Sequence, residues 1–151
     1  MIALVDTNVL LDVLTRREPH YRASAYVWTL AERGEITAFI SAISFNNIYY
    51  IVRKAESKTK AEKVLKLLRD TFDSVAPDTK IINQAIDSAC DDFEDAIQFH
   101  SAIRVGAQVL ITRNPNDFPQ LGVSIATPEE FLKIWVDRRN EGPSEDAVEG
   151  L

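Results

Sequence analysis

The stretch DDFEDAIQFHSAI, residues 91–103, carries Asp91, Asp92, Glu94 and Asp95 in its first five positions and then turns amphipathic with helical spacing. Other acids and amides follow apolar runs: Asp6 after IALV, with Thr7 and Asn8 next; Asn46 and Asn47 after ITAFI; Arg113, Asn114, Asn116 and Asp117 after QVLIT. Carboxylates drawn together repel one another unless a hard cation takes up their oxygens, and such an ion is what metal-assisted phosphoryl hydrolysis requires. A purely structural use fits the same residues. Helix N-termini stabilise acids by roughly 0.3–1 kcal/mol each, Asp92 stands where an N-cap belongs with Asp95 three residues on, and Asp6 can cap a helix of its own. Asp92, Asp95, Phe99, Ala102 and Gly106 recur at three and four residues, one stripe of a helix, so Asp95 shares a face with apolar residues. Asp91 and Glu94 fall off that stripe and read as acids serving only the dipole.

The elements that must position these residues follow from periodicity. IALV lacks polar alternation, as a strand buried on both faces does, and helical spacing takes over from Asn8 through Leu14. Tyr21 to Arg33 reads as a helix closed by Gly34, ITAFI at 36–40 as a strand, and Ser41 as the cap of a helix running to about Ser57. TKAEKVLKLLRDTF is a periodic helix; SVA at 74–76 is a weak strand, QVLIT at 108–112 a strong one, and SIAT at 124–127 the last. Asp78 caps IINQAIDSA, and Thr127-Pro128-Glu129-Glu130 opens a final helix that should end near Trp135. Strands alternating with helices predict an α/β domain whose mostly parallel sheet presents its sites at the carboxyl ends of strands.

The 151 residues suit one domain, expected over 1–136. Residues 137–151 lose apolar periodicity and hold two basic and five acidic residues, half of the net charge of −6, so a mobile acidic tail is expected there. No apolar run approaches the roughly 20 residues of a membrane span, and no basic leader precedes the first strand, so a cytoplasmic protein without membrane contact is expected. A single cysteine, Cys90, excludes a thiolate cluster; His20 and His100 are isolated, which leaves oxygen ligands for any metal. Arg53 to Asp70 holds seven positive charges against three negative, a local basic face suited to nucleic acid or simply to solvent. Tyr49 and Tyr50 can stack on unpaired bases or pack in an interface. Surplus apolar positions in the helices of 42–57 and 59–72 predict a homodimer.

Four segments in order, VDTNVLLDVL, ISAISFNNIYYIVRK, DFEDAIQFHSAIRVGAQVLITRNPNDF and TPEEFL, resemble the motifs of PIN-domain proteins of the VapC-like group that includes toxin nucleases. The resemblance implies a Rossmann-like PIN fold, five strands in the order 3-2-1-4-5 flanked by helices. It also implies a ribonuclease using Mg²⁺ or Mn²⁺, acting on RNA, and allows an antitoxin protein as partner. Carried over residue by residue, the catalytic and metal-binding acids fall on Asp6, Asp95 and Asp117. Asn8, Asp92 and Asn114 support them, and Arg113 is available to steady a phosphate. The chain departs from the group at Asn47, where a glutamate is usual. An amide oxygen can ligate a hard cation but adds no charge, so a PIN fold that binds RNA or protein without cutting is the competing expectation.

Overall fold

The computed structural model describes residues 1–141. Five strands, β1 (Ile2–Val5), β2 (Thr37–Ser41), β3 (Asp73–Val75), β4 (Val109–Ile111) and β5 (Ser124–Ala126), form one sheet in the order β3-β2-β1-β4-β5. Every pairing is parallel, with Leu4 opposite both Phe39 and Leu110. The strand order is the one the family resemblance implies. Among the described residues six helices connect the strands and a seventh follows the last: α1 (Thr7–Leu14), α2 (Tyr21–Glu32), α3 (Ala42–Ala55), α4 (Lys58–Thr71), α5 (Thr79–Ile86), α6 (Phe93–Arg104) and α7 (Pro128–Glu141).

The pleat sends alternate strand residues into two cores. Ala3, Val5, Ala38, Ile40, Val109 and Ile111 face a layer that includes Val9 of α1, Val27 of α2, Ile48 of α3, Leu68 of α4 and Phe131 of α7. Leu4 and Leu110 face the other way, against Ile81 of α5 and Ala96, Phe99 and Ala102 of α6. Burial on both faces is why the central strands carry no polar alternation. Local capping follows the sequence: Ser41, Ser57, Asp78 and Asp92 each accept a backbone N–H in the first turn of their helices. Thr127 Oγ accepts from Glu130 N at 3.2 Å and donates to its carboxylate at 3.1 Å, a reciprocal cap that starts α7. Gly34, at φ 70°, closes α2 in the left-handed region where a side chain would be strained.

One boundary differs from expectation. Helix α7 does not stop near Trp135 but continues to Glu141, taking the first five residues of the expected tail. Arg139 lies over the Trp135 ring at 4.9 Å, one turn away, and Arg138 and Arg139 sit where the helix dipole favours positive charge. The rest of that tail, 142–151, lies outside the described residues. All pairings being parallel, the sheet is also more regular than the mostly parallel one expected.

Crossovers leave β1 toward β2 and β3 on one side, while β4 and β5 lie on the other, so the strand order reverses between β1 and β4. Open parallel sheets form their crevice at that point, outside the carboxyl ends of the strands. Asp6 and Thr112 directly follow these two strands, and Asp6 N donates to Ile111 O at 2.9 Å, extending the ladder to the crevice. The fully buried Phe131 holds α7 against the layer that supports β4 and β5. Phe131→Ala should lower stability by about 3–5 kcal/mol in urea unfolding. A loss below about 1 kcal/mol would mean that α7 is not packed as described.

Candidate functional site

Asp6 occupies the N-cap position of α1 yet makes no side-chain cap hydrogen bond. Its carboxylate turns instead toward α6 and β4, accepting from Gln98 Nε2 at 3.0 Å on one oxygen and from Thr112 Oγ at 2.9 Å on the other. The purely structural use of Asp6 as a cap therefore does not describe it. Asp6 is buried, and burial raises its pKa against the opposing pull of Thr112, Gln98 and the nearby backbone N–H groups of Asn8 and Thr7. Each carboxylate oxygen retains a further lone pair for a ligand.

A cleft of about 520 Å³ opens over this carboxylate. Asp6, Asp92, Glu94 and Asp95 line it with Asn8, Asn46, Asn47, Tyr50 and Gln98, and its lining includes no Lys, Arg or His. Helix geometry explains the grouping. Asp92 caps α6, its Oδ1 accepting from Asp95 N at 2.9 Å, and this places Asp95 on the first turn beside the cleft. Burial, and then the charges of Asp6, Asp92, Asp117 and Glu94, push the Asp95 carboxyl up to about 7. All of these act in one direction. A group held this way either keeps its proton or meets a cation.

Glu94 corrects the sequence reading. Rather than serving only the dipole, it is half-buried and accepts from Asn47 Nδ2 at 2.9 Å and from Thr7 Oγ at 3.4 Å. Thr7 in turn shares a 2.7 Å hydrogen bond with the buried Ser44 of α3. Burial is the main cause that raises the Glu94 pKa; the Asn47 hydrogen bond opposes it, while the charges of Asp6 and Asp92 add to it. Glu94, Gln98 and Ser101 form a second row on α6 beside the Asp95 stripe, and Gln98 and Ser101 are buried there. Polar residues at four- and three-residue spacing inside an otherwise apolar helix were the signal for that row in the sequence.

The remaining candidates divide. Asn8 and Asn47 line the cleft. Asp117, on a 3-10 turn (Pro115–Asp117), lines an adjoining depression with Asp91, Asp92 and Asp95, so Asp92 and Asp95 form the wall between the two hollows. Asn114 is exposed and caps that turn, its N–H donating to Thr112 Oγ at 3.1 Å. Arg113 is drawn elsewhere: its Nε lies 3.0 Å from Oδ2 of the fully buried Asp12, and it lines neither hollow. A guanidinium offsetting a buried carboxylate is not free to grip a phosphate, so the phosphate role expected for Arg113 is not supported by its position. His100 packs edge-on to Phe99, with ring centroids 5.3 Å apart, away from the acids.

Among the described residues no three histidine, cysteine or acidic side chains stand ready to chelate a metal ion. The donor set nevertheless fits a hard divalent cation that keeps part of its water shell. The metal-ligating atoms that the lining offers are oxygens of carboxylates, amides and hydroxyls, and Gln98 Oε1, buried in the lining, has no hydrogen-bond partner. No helix among the described residues is long and apolar enough to cross a membrane.

A family model described as PIN domain matches residues 3–116. In fold the chain is similar to VapBC2 from Rickettsia felis bound to a DNA fragment from its promoter, at 18% identity and TM-score 0.63 over 83% of this chain and 97% of that one. It is similar to a toxin-antitoxin complex from Klebsiella pneumoniae, at 23% identity and TM-score 0.62 over the same shares of 83% and 97%. FitAcB from Neisseria gonorrhoeae matches at 20% identity and TM-score 0.60 over 85% of this chain and 99% of that one. A comparison with curated proteins gives no significant sequence match.

The raised Asp95 carboxyl has a consequence for stability. Its folded value of about 7 exceeds the 3.8 of an unperturbed aspartate, so between these values the folded state binds the proton more tightly than the unfolded chain. Stability of the metal-free protein should therefore fall as pH rises from about 4 through about 7, and Asp95→Asn should flatten that fall. Thermal unfolding in EDTA across this range checks it; parallel curves for wild type and Asp95→Asn would refute the assignment.

Proposed function

The chain belongs to the PIN-domain family, and from that premise we propose that it is a divalent-metal-dependent endoribonuclease that hydrolyses phosphodiester bonds of RNA in the cleft between Asp6 and Asp95. The observation that carries this reading is the gathering of Asp6, Asp92, Glu94 and Asp95 at the sheet's switch point with no basic side chain in the lining. A scaffold gains nothing from burying mutually repelling carboxylates. Asp6 and Asp95 would hold Mg²⁺ or Mn²⁺, with Asn8 as a neutral oxygen donor toward its water shell and Asn47 as neutral support in the lining. Asp92 and Asp117 add negative charge from the far side of Asp95. A divalent ion bound there supplies positive charge against that developing on the phosphodiester and makes nearby water more acidic.

The chain's own groups do the placing. Gln98 and Thr112 fix both oxygens of Asp6, so little reorganisation is left for the reaction. Tyr50, 68% exposed on the cleft rim, offers a ring on which an unpaired base can stack, whereas Tyr49 packs against the core. Arg53, Lys54, Lys58, Lys60, Lys63, Lys66 and Arg69 are all exposed on α3, α4 and their connection, a face suited to phosphates leading to the cleft. The solved structures of similar fold include toxin-antitoxin complexes, which supports a toxin with an antitoxin partner. In this reading the catalytic domain expected over residues 1–136 extends through α7 to Glu141.

Cleavage of a fluorogenic single-stranded RNA across an Mg²⁺ and Mn²⁺ series tests the proposal. Activity should require the ion and should fall by about 100-fold or more in Asp6→Asn and Asp95→Asn. Asn47, neutral where the resembling group has an acid, favours a second reading as an RNA-binding module without catalysis. Background cleavage together with metal-independent RNA binding would select it.

Assembly yields a separate prediction. Ile51 and Leu67 leave apolar surface exposed on α3 and α4, and we propose that a second copy covers it. Light scattering at tens of micromolar should give twice the 17.0 kDa chain mass. A monomer mass, unchanged in Leu67→Glu, would refute it.

A further inference from the structure

Glu94 and Asn47 form a pair whose polarity is fixed by chemistry. Only the amide nitrogen can donate to a carboxylate, so at 2.9 Å the Asn47 side chain is oriented with Nδ2 toward Glu94 Oε1. Thr7 approaches the same oxygen at 3.4 Å. Both donors act on one oxygen, and Oε2 accepts no hydrogen bond among the described residues. Two elements other than its own helix thus hold Glu94 half-buried in the lining that contains Asp6 and Asp95, whereas Asp117 lines only the adjoining depression. One turn along α6, Gln98 is 1% exposed, donates to Asp6 and leaves its own Oε1 without a partner in the same lining. Glu94 and Gln98 therefore put acceptor oxygens with spare capacity into the cleft, and nothing in the lining is positively charged.

Resting on the metal-dependent reading above, we propose that Glu94 is the third anionic group of the Asp6–Asp95 cation site and that Asn47 is its positioning residue. The charge absent from position 47 of α3 is carried instead by position 94 of α6. A carboxylate at 94 reaches the cleft from the wall opposite α1, and the Asn47 amide turns from a missing ligand into the donor that keeps Glu94 there. A neutral residue at 47 thus leaves the site no weaker in charge. A carboxylate at 47 would stand against Glu94 in place of a donor. In a metal-free site that contact is repulsive.

Mn²⁺ titration by calorimetry, read with the Mn²⁺-induced rise in melting temperature, tests the assignment with no substrate present. Glu94→Gln keeps an oxygen that accepts from Asn47 and removes only the charge. It should weaken Mn²⁺ binding by about tenfold, since ligand charge count sets the affinity of such sites. Its melting temperature in EDTA should stay level or rise, because a buried repelling charge is gone. Asn47→Ala should weaken binding by about fivefold, the worth of one ordinary hydrogen bond of about 1 kcal/mol, and by less than about twofold in the Glu94→Gln background. Mn²⁺ affinity of Glu94→Gln within twofold of wild type, with Asp6→Asn still impaired, overturns the role of Glu94 and leaves the site itself standing. Absence of Mn²⁺ binding in the wild type overturns the metal reading and this inference with it.

Discussion

The cost of burying the Asp6 carboxylate governs the architecture around it. A charge with only 3% of its surface exposed must be hydrogen-bonded or neutralised, and the fold supplies one donor from each side: Gln98 from α6 and Thr112 from the end of β4. Those donors are available because β1 and β4 are neighbours in a parallel sheet and α6 packs across both on one face. The cap that α1 could have drawn from Asp6 is given up for this. Hydrogen bonds orient the charge without cancelling it, and its pKa stays raised.

That uncancelled charge shapes the other acids. Asp95 and Glu94 are each pushed up by burial first and then by Asp6, so the cleft is electrostatically tense before any ligand arrives. Donors around it are neutral hydroxyls and amides: Thr7, Asn47, Gln98, Thr112. A lysine or arginine in their place would relax the carboxylates and leave little for a cation to gain. Arg113 is diverted to Asp12 of α1, itself fully buried and raised by burial against the pull of Arg113, His20 and Arg17. This pair ties α1 to the loop after β4 while keeping positive charge out of the cleft. Segregation of this kind leaves the negative charge of the cleft's carboxylates uncompensated by any basic side chain of its lining.

The role of position 94 shows how a helix assigns chemistry to adjacent residues. Asp95 and Glu94 are neighbours in sequence but about 100° apart around α6, so one faces the wall shared with Asp117 and the other faces Asn47 of α3. Asp92 serves both hollows because it caps the helix from below its first turn. A run of acids at one helix start is thereby divided into a cap, a shared wall and a held carboxylate, with Asp91 left exposed at the rim.

The sequence by itself determined the order of elements, the parallel sheet, the caps at Ser41, Asp78, Asp92 and Thr127, and the placement of Asp6 at the end of β1 and Asp95 on the first turn of α6. These depend on local periodicity, on turn and cap chemistry, and on motif order, all written along the chain. The run of α7 past Trp135 was less legible, because the stacking of Arg139 on Trp135 extends a segment whose composition reads as tail. Partners separated by 47, 92 and 106 residues were not legible at all: Asn47 with Glu94, Gln98 with Asp6, Thr112 with Asp6. Nor was the diversion of Arg113 to Asp12. Helical spacing states which residues share a face, but which element that face meets depends on how α6 and α3 are set against the end of β1, and packing of the two cores decides that.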